Sequence, residues 1–393
     1  MNQMMGYLIR SNRIKQKMSQ AELCKGICAI SYLSKIEAGT AEPNEVIVDK
    51  LFKNLGITYN NDPEMIDEYK ELFRRYFDAY FHNEKVVDIE EKIYKNKDKI
   101  QDSPLIMDYQ LFCIYQASDD KRVAYKLLRG MDSFKEYLND EMSFLYYMAK
   151  GRLMPSYEQR TRAYIRARQI KDCALCYEAL MYETYNSGAY MEALRYCKAG
   201  YAHAMDEGFI LMARKLSFLE ARCYGKMGDT EAMLMAYNRT KELYRGDERM
   251  AATIDYNIAM SYIMKKRYDD AIAYLLSALK KEQDDLAMFF INHRLAYAYK
   301  ALDEDKIGSI YLSVAENYAR KLGGVYVEMV QLANIYYSGE FADNKEYGEL
   351  LMKLYNMGDE YGTEFAEFYR PYVIDYLKRN RKYKEALRLM EEM

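Results

Sequence analysis

The sequence predicts an all-α protein, a short helical head followed by a long array of helical hairpins, and three observations carry that reading. Only 5 prolines and 19 glycines punctuate 393 residues, too few turn-formers for a sandwich of short strands. Apolar residues (50%) and charged residues (30%) are finely interspersed, which excludes disordered and collagen-like chains. Anchor residues also recur at intervals of 37 and 39, the mark of a structural repeat. A chain of this length exceeds one compact core of about 150 residues, so a head at 1–60 and a repeat domain at 61–393 are expected.

No apolar run reaches the length of a membrane span, so no membrane partner is expected. The N-terminus MNQMMGYLIRSNR lacks the apolar core of an export signal. A cytoplasmic chain whose seven cysteines are thiols is therefore expected.

Charge is unevenly spread. Residues 1–35 hold six Lys/Arg against one acid, +5, so a total of -3 leaves -8 for the rest. A basic head on an acidic body is the asymmetry expected when the head alone meets phosphate.

In the head, a first helix spans about Gly6 to Gln16. Ser19 then caps a second, Gln20 to Lys25, with Glu22 at the third helical position as a capping box. Gly26 ends it. A third helix, Ile30 to Ala38, stops at Gly39, and Pro43-Asn44 introduce a fourth, Glu45 to Leu55, closed by Gly56. Two short helices about four residues apart, preceded by a basic helix, form a helix-turn-helix candidate. Gln20 of the second helix is expected at a phosphate, with Lys17 in the same contact set. The third helix would turn Ile30, Ser31, Tyr32, Ser34 and Lys35 toward bases and flanking phosphates, with Leu33 and Ile36 inward.

The stretch from Ser19 to Gly39 closely resembles the phage-repressor, xenobiotic-response-element (XRE) type of helix-turn-helix. That resemblance implies an ion pair between Arg13 and Glu37. The turn is one residue shorter than in the phage repressors, which is similar to bacterial regulators gated by short signalling peptides.

Beyond Asp62-Pro63 the chain becomes rich in Tyr, Met and Ala. Small residues recur at Ala124, Ala163, Ala193, Ala232 and Ala271, where the second helix of each hairpin would approach the first. The pattern Ile/Leu-Ala-x-x-Tyr begins at Ile258, Leu295 and Leu332, and Leu219 and Leu180 extend it upstream. The array resembles lengthened, degenerate tetratricopeptide repeats. The resemblance implies a right-handed superhelix with a concave face lined by the first helices. On that face the residue before each anchor points into the groove: Ala179, Phe218, Asn257, Arg294 and Gln331. Met260, Tyr297 and Asn334 are expected one turn further, with Asn292 at the edge. Asn and Gln amides suit an extended peptide backbone and Arg294 a carboxylate.

Head and array together resemble the peptide-pheromone-responsive regulators of Gram-positive bacteria, the RRNPP superfamily. The resemblance implies a homodimeric transcription factor that binds a palindromic double-stranded operator and is switched by a short signalling peptide. The other reading is a repeat scaffold for a protein partner, with DNA binding secondary. Three dispersed histidines, His82, His203 and His293, and the absence of a P-loop or dinucleotide glycine pattern argue against catalysis. Cys173-Ala-Leu-Cys176 is a solitary CxxC in a helical run, Cys24 and Cys28 read as small core residues, and neither a metal nor a cofactor is expected.

Overall fold

The computed structural model describes the backbone of residues 2–339, 341, 344–361 and 363–391; the side chains of 2, 3, 133, 134, 359, 363 and 364 are not part of that description. The described elements are all helical. The head comprises α1 (Asn2–Lys15), α2 (Gln20–Leu23), α3 (Ile30–Glu37) and α4 (Glu45–Asn54). There follow α5 (Pro63–Phe81), α6 (Val87–Lys95), α7 (Lys97–Gln101), α8 (Ile106–Gln116) and α9 (Lys121–Met131). A 3-10 turn, Asp132–Tyr137, leads to α10 (Asp140–Leu153), α11 (Tyr157–Ile170), α12 (Ala174–Asn186) and α13 (Tyr190–Asp206). The remainder is α14 (Ile210–Lys226), α15 (Thr230–Leu243), α16 (Glu248–Met264), α17 (Tyr268–Leu279), α18 (Asp285–Ala301), α19 (Asp305–Leu322), α20 (Val325–Ser338), α21 (Lys345–Asn356), α22 (Gly358–Tyr361), α23 (Thr363–Arg379) and α24 (Tyr383–Glu391). No described helix is long and apolar enough to cross a membrane. The chain divides into two compact units, Met1–Ala213 and Arg214–Met393.

The head forms for the local reasons its sequence gives. Ser19 Oγ accepts from the Glu22 amide at 3.1 Å while the Glu22 carboxylate accepts from the Ser19 amide at 2.6 Å, a complete capping box. Gly26, Gly39 and Gly56 all take positive φ where helices end. One feature is tertiary: a Cβ on Gly6 would sit 2.1 Å from the Ile36 carbonyl, so glycine is what lets α1 cross α3.

Hairpins account for the rest. The anchors Leu180, Leu219, Ile258, Leu295 and Leu332 lie on first helices α12, α14, α16, α18 and α20, each at most 3% exposed. Ala124, Ala163, Ala193 and Ala271 are buried on second helices α9, α11, α13 and α17; Ala232 on α15 is half-buried. Asp62, Asp120, Asn139 and Ser156 cap α5, α9, α10 and α11, satisfying amides the helices leave open. In the first unit Phe73, Tyr76, Phe77, Phe112 and Tyr115 form an edge-to-face aromatic core, each ring contributing roughly 1.5–3 kcal/mol through burial. In the second, tyrosines bridge helices: Tyr337 of α20 lies over Gly308 of α19 and donates to the Ala296 carbonyl at 2.5 Å.

The second unit also buries a charge. Asp255 of α16, 1% exposed, accepts from Lys241 of α15 at 2.6 Å and from Lys281 and Ser277 at 2.5 and 2.8 Å. Burial pushes its pKa up, but these hydrogen bonds outweigh it and hold the carboxyl below 3.8. A lowered folded pKa stabilises at neutral pH and is lost as pH falls through that folded value. Asp255→Asn is therefore expected to cost about 2 kcal/mol at pH 7, less than a fully buried pair because both lysines reach water. The melting difference from wild type should shrink as the pH is lowered through the depressed carboxyl pKa; a gap that stays constant down to strongly acidic pH contradicts the pairing.

Candidate functional site

Two regions collect the residues singled out by the sequence. In the head, Glu37 closes α3 at 3% exposure. Arg13 of α1 clasps its carboxylate bidentately, Nε to Oε1 at 2.6 Å and Nη2 to Oε2 at 2.8 Å, and also donates Nη1 to the Met18 carbonyl at 3.0 Å. Gln20, expected at a phosphate, donates its amide to Glu37 Oε2 at 2.8 Å, so that N–H is engaged inside the head. Leu33 and Ile36 are fully buried, which leaves Ile30 (51% exposed), Ser31, Ser34 and Lys35 on the open face of α3. Tyr32 is half-buried, its hydroxyl on the Glu42 carbonyl at 3.2 Å, and Lys17 is exposed with a positive φ.

The sequence reading missed how the head is held. Tyr137, at the end of the 3-10 turn, donates to the Glu37 carbonyl at 2.8 Å and accepts from Arg10 at 3.3 Å. Gln110 of α8 donates to the Tyr7 hydroxyl at 2.7 Å. These partners are about a hundred residues apart in sequence, beyond the reach of any local pattern.

In the second unit, the predicted groove residues separate into two environments. Asn292, Arg294 and Tyr297 of α18 are buried, whereas Gln331 and Asn334 of α20 are exposed; Asn257 and Met260 of α16 are half-buried. Asn257 and Asn292 donate to carbonyls of their own helices, Thr253 at 2.8 Å and Met288 at 2.7 Å. The cover over α18 is α23. Its Phe368 ring lies 3.5 Å from the Arg294 guanidinium carbon, and Tyr297 meets Phe368 and Tyr372 edge-on. Lys226 of α14 pairs with Glu367 of α23. Pro371 interrupts α23 within this cover and removes the N–H that would bond the Glu367 carbonyl.

Arg294 is thus a buried cation met by ring faces and an imidazole. Its Nη1 lies 2.8 Å from His293 Nδ1, while Arg294 Nε and His293 Nε2 have no hydrogen-bond partner among the described residues. Burial, reinforced by the adjacent guanidinium, depresses the His293 pKa well below 6.5, so His293 is neutral and accepts through Nδ1. Beside this wall a cavity of about 300 Å³ is lined by Tyr268, Tyr336, Phe341, Tyr347, Asp375 and Arg379, among others. Cys173 and Cys176, elsewhere, are buried thiols 3.9 Å apart. Among the described residues no cluster of three or more His, Cys, Asp or Glu is placed to hold a metal ion.

Head and hairpins make an all-helical architecture, a helix-turn-helix followed by tetratricopeptide-like repeats. Residues 9–60 match the family model described as Helix-turn-helix. Over 391 residues the chain is 22% identical to the transcriptional activator NprA of Geobacillus stearothermophilus, covering 94% of this chain and 92% of that one. Its fold is similar to the apo form of the quorum sensor NprR from B. thuringiensis, with a TM-score of 0.62 at 14% identity over 83% of this chain and 97% of that one. It is likewise similar to NprR in complex with its cognate peptide NprX, with a TM-score of 0.56 at 16% identity over 82% and 99% of the two chains. These likenesses are of fold, a helix-turn-helix head followed by tetratricopeptide-like hairpins.

Arg13→Ala leaves a buried carboxylate with Gln20 as its remaining side-chain donor, and is expected to destabilise the head by about 3 kcal/mol. Hydrogen exchange of the α1 and α3 amides should accelerate while α16 and α18 are unaffected; unchanged protection in α3 would contradict the role assigned to the pair.

Proposed function

We propose that this chain is a sequence-specific DNA-binding transcriptional regulator controlled by a short signalling peptide. The observation that carries the reading is the division of one short helix: α3 is fixed from behind by the Arg13–Glu37 pair while Ile30, Ser31, Ser34 and Lys35 stand open. Serine hydroxyls donate and accept at base edges, and Lys35 and Lys17 neutralise phosphates. Residues 1–60 form the DNA-binding part and residues 61–393 the sensing and dimerising part, acting as a cytoplasmic homodimer on a palindromic operator. No catalytic role is assigned.

For the sensor, Arg294 supports a ligand that brings a carboxylate. Holding a guanidinium away from water costs several kcal/mol, and the face of Phe368 returns only about 2. A peptide carboxylate at Arg294 would complete the balance once α23, weakened at Pro371, gives way. Asn257 and Asn292 already donate through Nδ2 to their own helices, and their amide oxygens would receive backbone N–H groups along the same wall. A coupling of about 1–3 kcal/mol between the two sites is enough to change operator affinity roughly 5- to 150-fold.

The combined variant Ser31→Ala/Ser34→Ala/Lys35→Ala should bind a fragment of the gene's own upstream region at least about tenfold more weakly at fixed salt, with unchanged helicity. Equal, salt-sensitive, sequence-selective binding by variant and wild type would remove α3 from the interface. Separately, Arg294→Met should lower the affinity for a signalling peptide with a free C-terminal carboxylate by about tenfold or more and leave the amidated peptide unchanged. Identical calorimetric titrations of both peptides by wild type would refute the carboxylate assignment.

A further inference from the structure

A second recess lies in the first unit, between α9, α10 and α11, with a volume of about 370 Å³. Arg129, Lys150, Arg162 and Arg166 line it against a single carboxylate, Asp132. That carboxylate is already engaged: it accepts from the Tyr146 hydroxyl and from Lys150 Nζ at 3.2 Å, with Arg129 Nε at 3.9 Å. Arg166 donates to the neutral amide of Gln169 at 3.1 Å, and Arg162 forms no ion pair with a described residue. Four cations converging on one recess stand out on a body that carries -8 beyond residue 35. Tyr147, Met154 and Ala163 add apolar surface among these polar groups, beside Tyr125 and Gln159.

We propose that this recess binds a small phosphorylated molecule with an apolar or planar body. The volume falls within the range of about 300–1,000 Å³ usual for small-molecule sites. Arginines fork onto phosphate oxygens with two N–H groups each. A recessed basic site with apolar side chains among its cations fits a compact ligand better than duplex DNA, whose phosphates line a convex backbone. The site adjoins the head's mooring. Asp132 opens the 3-10 turn that Tyr137 closes, and Tyr137 holds the Glu37 carbonyl. A phosphate that draws Lys150 and Arg129 away from Asp132 loosens the start of that turn, which makes the ligand a second input to the head besides the peptide.

The test is calorimetric titration of the full chain with inorganic pyrophosphate and with ADP. Both should bind, ADP more tightly because its base meets the apolar surface of Tyr147 and Met154. Arg162→Gln/Arg166→Gln should weaken both by about tenfold or more with an unchanged circular dichroism spectrum. The control Lys280→Gln/Lys306→Gln, two exposed lysines of the second unit, should bind like wild type. Hydrogen exchange across residues 132–138 should quicken on pyrophosphate addition. Absence of heat from both probes, or equal affinity in the Arg162/Arg166 variant, overturns the site. Loss of duplex-DNA binding in that variant without probe binding to wild type reassigns these cations to DNA and overturns it as well. Binding with unaltered exchange at 132–138 overturns the link to the head.

Discussion

Glu37 is the residue on which the rest depends. Its carboxylate is clasped by Arg13 and Gln20 from within the head, and its backbone carbonyl takes the Tyr137 hydroxyl from the first hairpins. A charge at 3% exposure tolerates little freedom, because each lost partner leaves it desolvated and uncompensated. The end of α3 is therefore positioned twice over, once by the head's own ion pair and once by the array. The Tyr137 hydrogen bond ties the turn that bears it to the helix that presents Ser31, Ser34 and Lys35.

The array handles charge in two contrasting ways. Asp255 is buried with donors from α15, from α17 and from the turn that follows α17, so it locks neighbouring hairpins together. Arg294 is buried with aromatic faces and a neutral imidazole, so it is held without being neutralised. The first arrangement is what a structural staple requires. The second leaves unspent binding capacity on a wall of first helices, covered by a helix that Pro371 has already deprived of one hydrogen bond.

The distribution of cations follows the same division. Lys35 of α3 stands on an open helix face. Those between α9 and α11 line a recess that also holds Tyr147, Met154 and Ala163. The net charge of -3 conceals both, since it averages a basic head and a basic recess with an otherwise acidic surface.

The sequence by itself determined what is local or periodic. The Ser19–Glu22 capping box, the glycine stops at 26, 39 and 56, the inward Leu33 and Ile36, and the hairpin anchors at 37- and 39-residue intervals are all features of neighbouring residues or regular spacing. The Arg13–Glu37 pair was legible because a motif fixes its offset. Tertiary structure alone decided that α23 closes over Arg294 and Tyr297, while Gln331 and Asn334, at equivalent repeat positions, face solvent. It also decided that Gln20 serves Glu37 and that Tyr137 reaches the head. Repeat spacing dictates which side of its own helix a residue occupies. What later covers that side is set by the packing of helices dozens of residues away, where a few ring contacts outweigh any preference written into the neighbouring sequence.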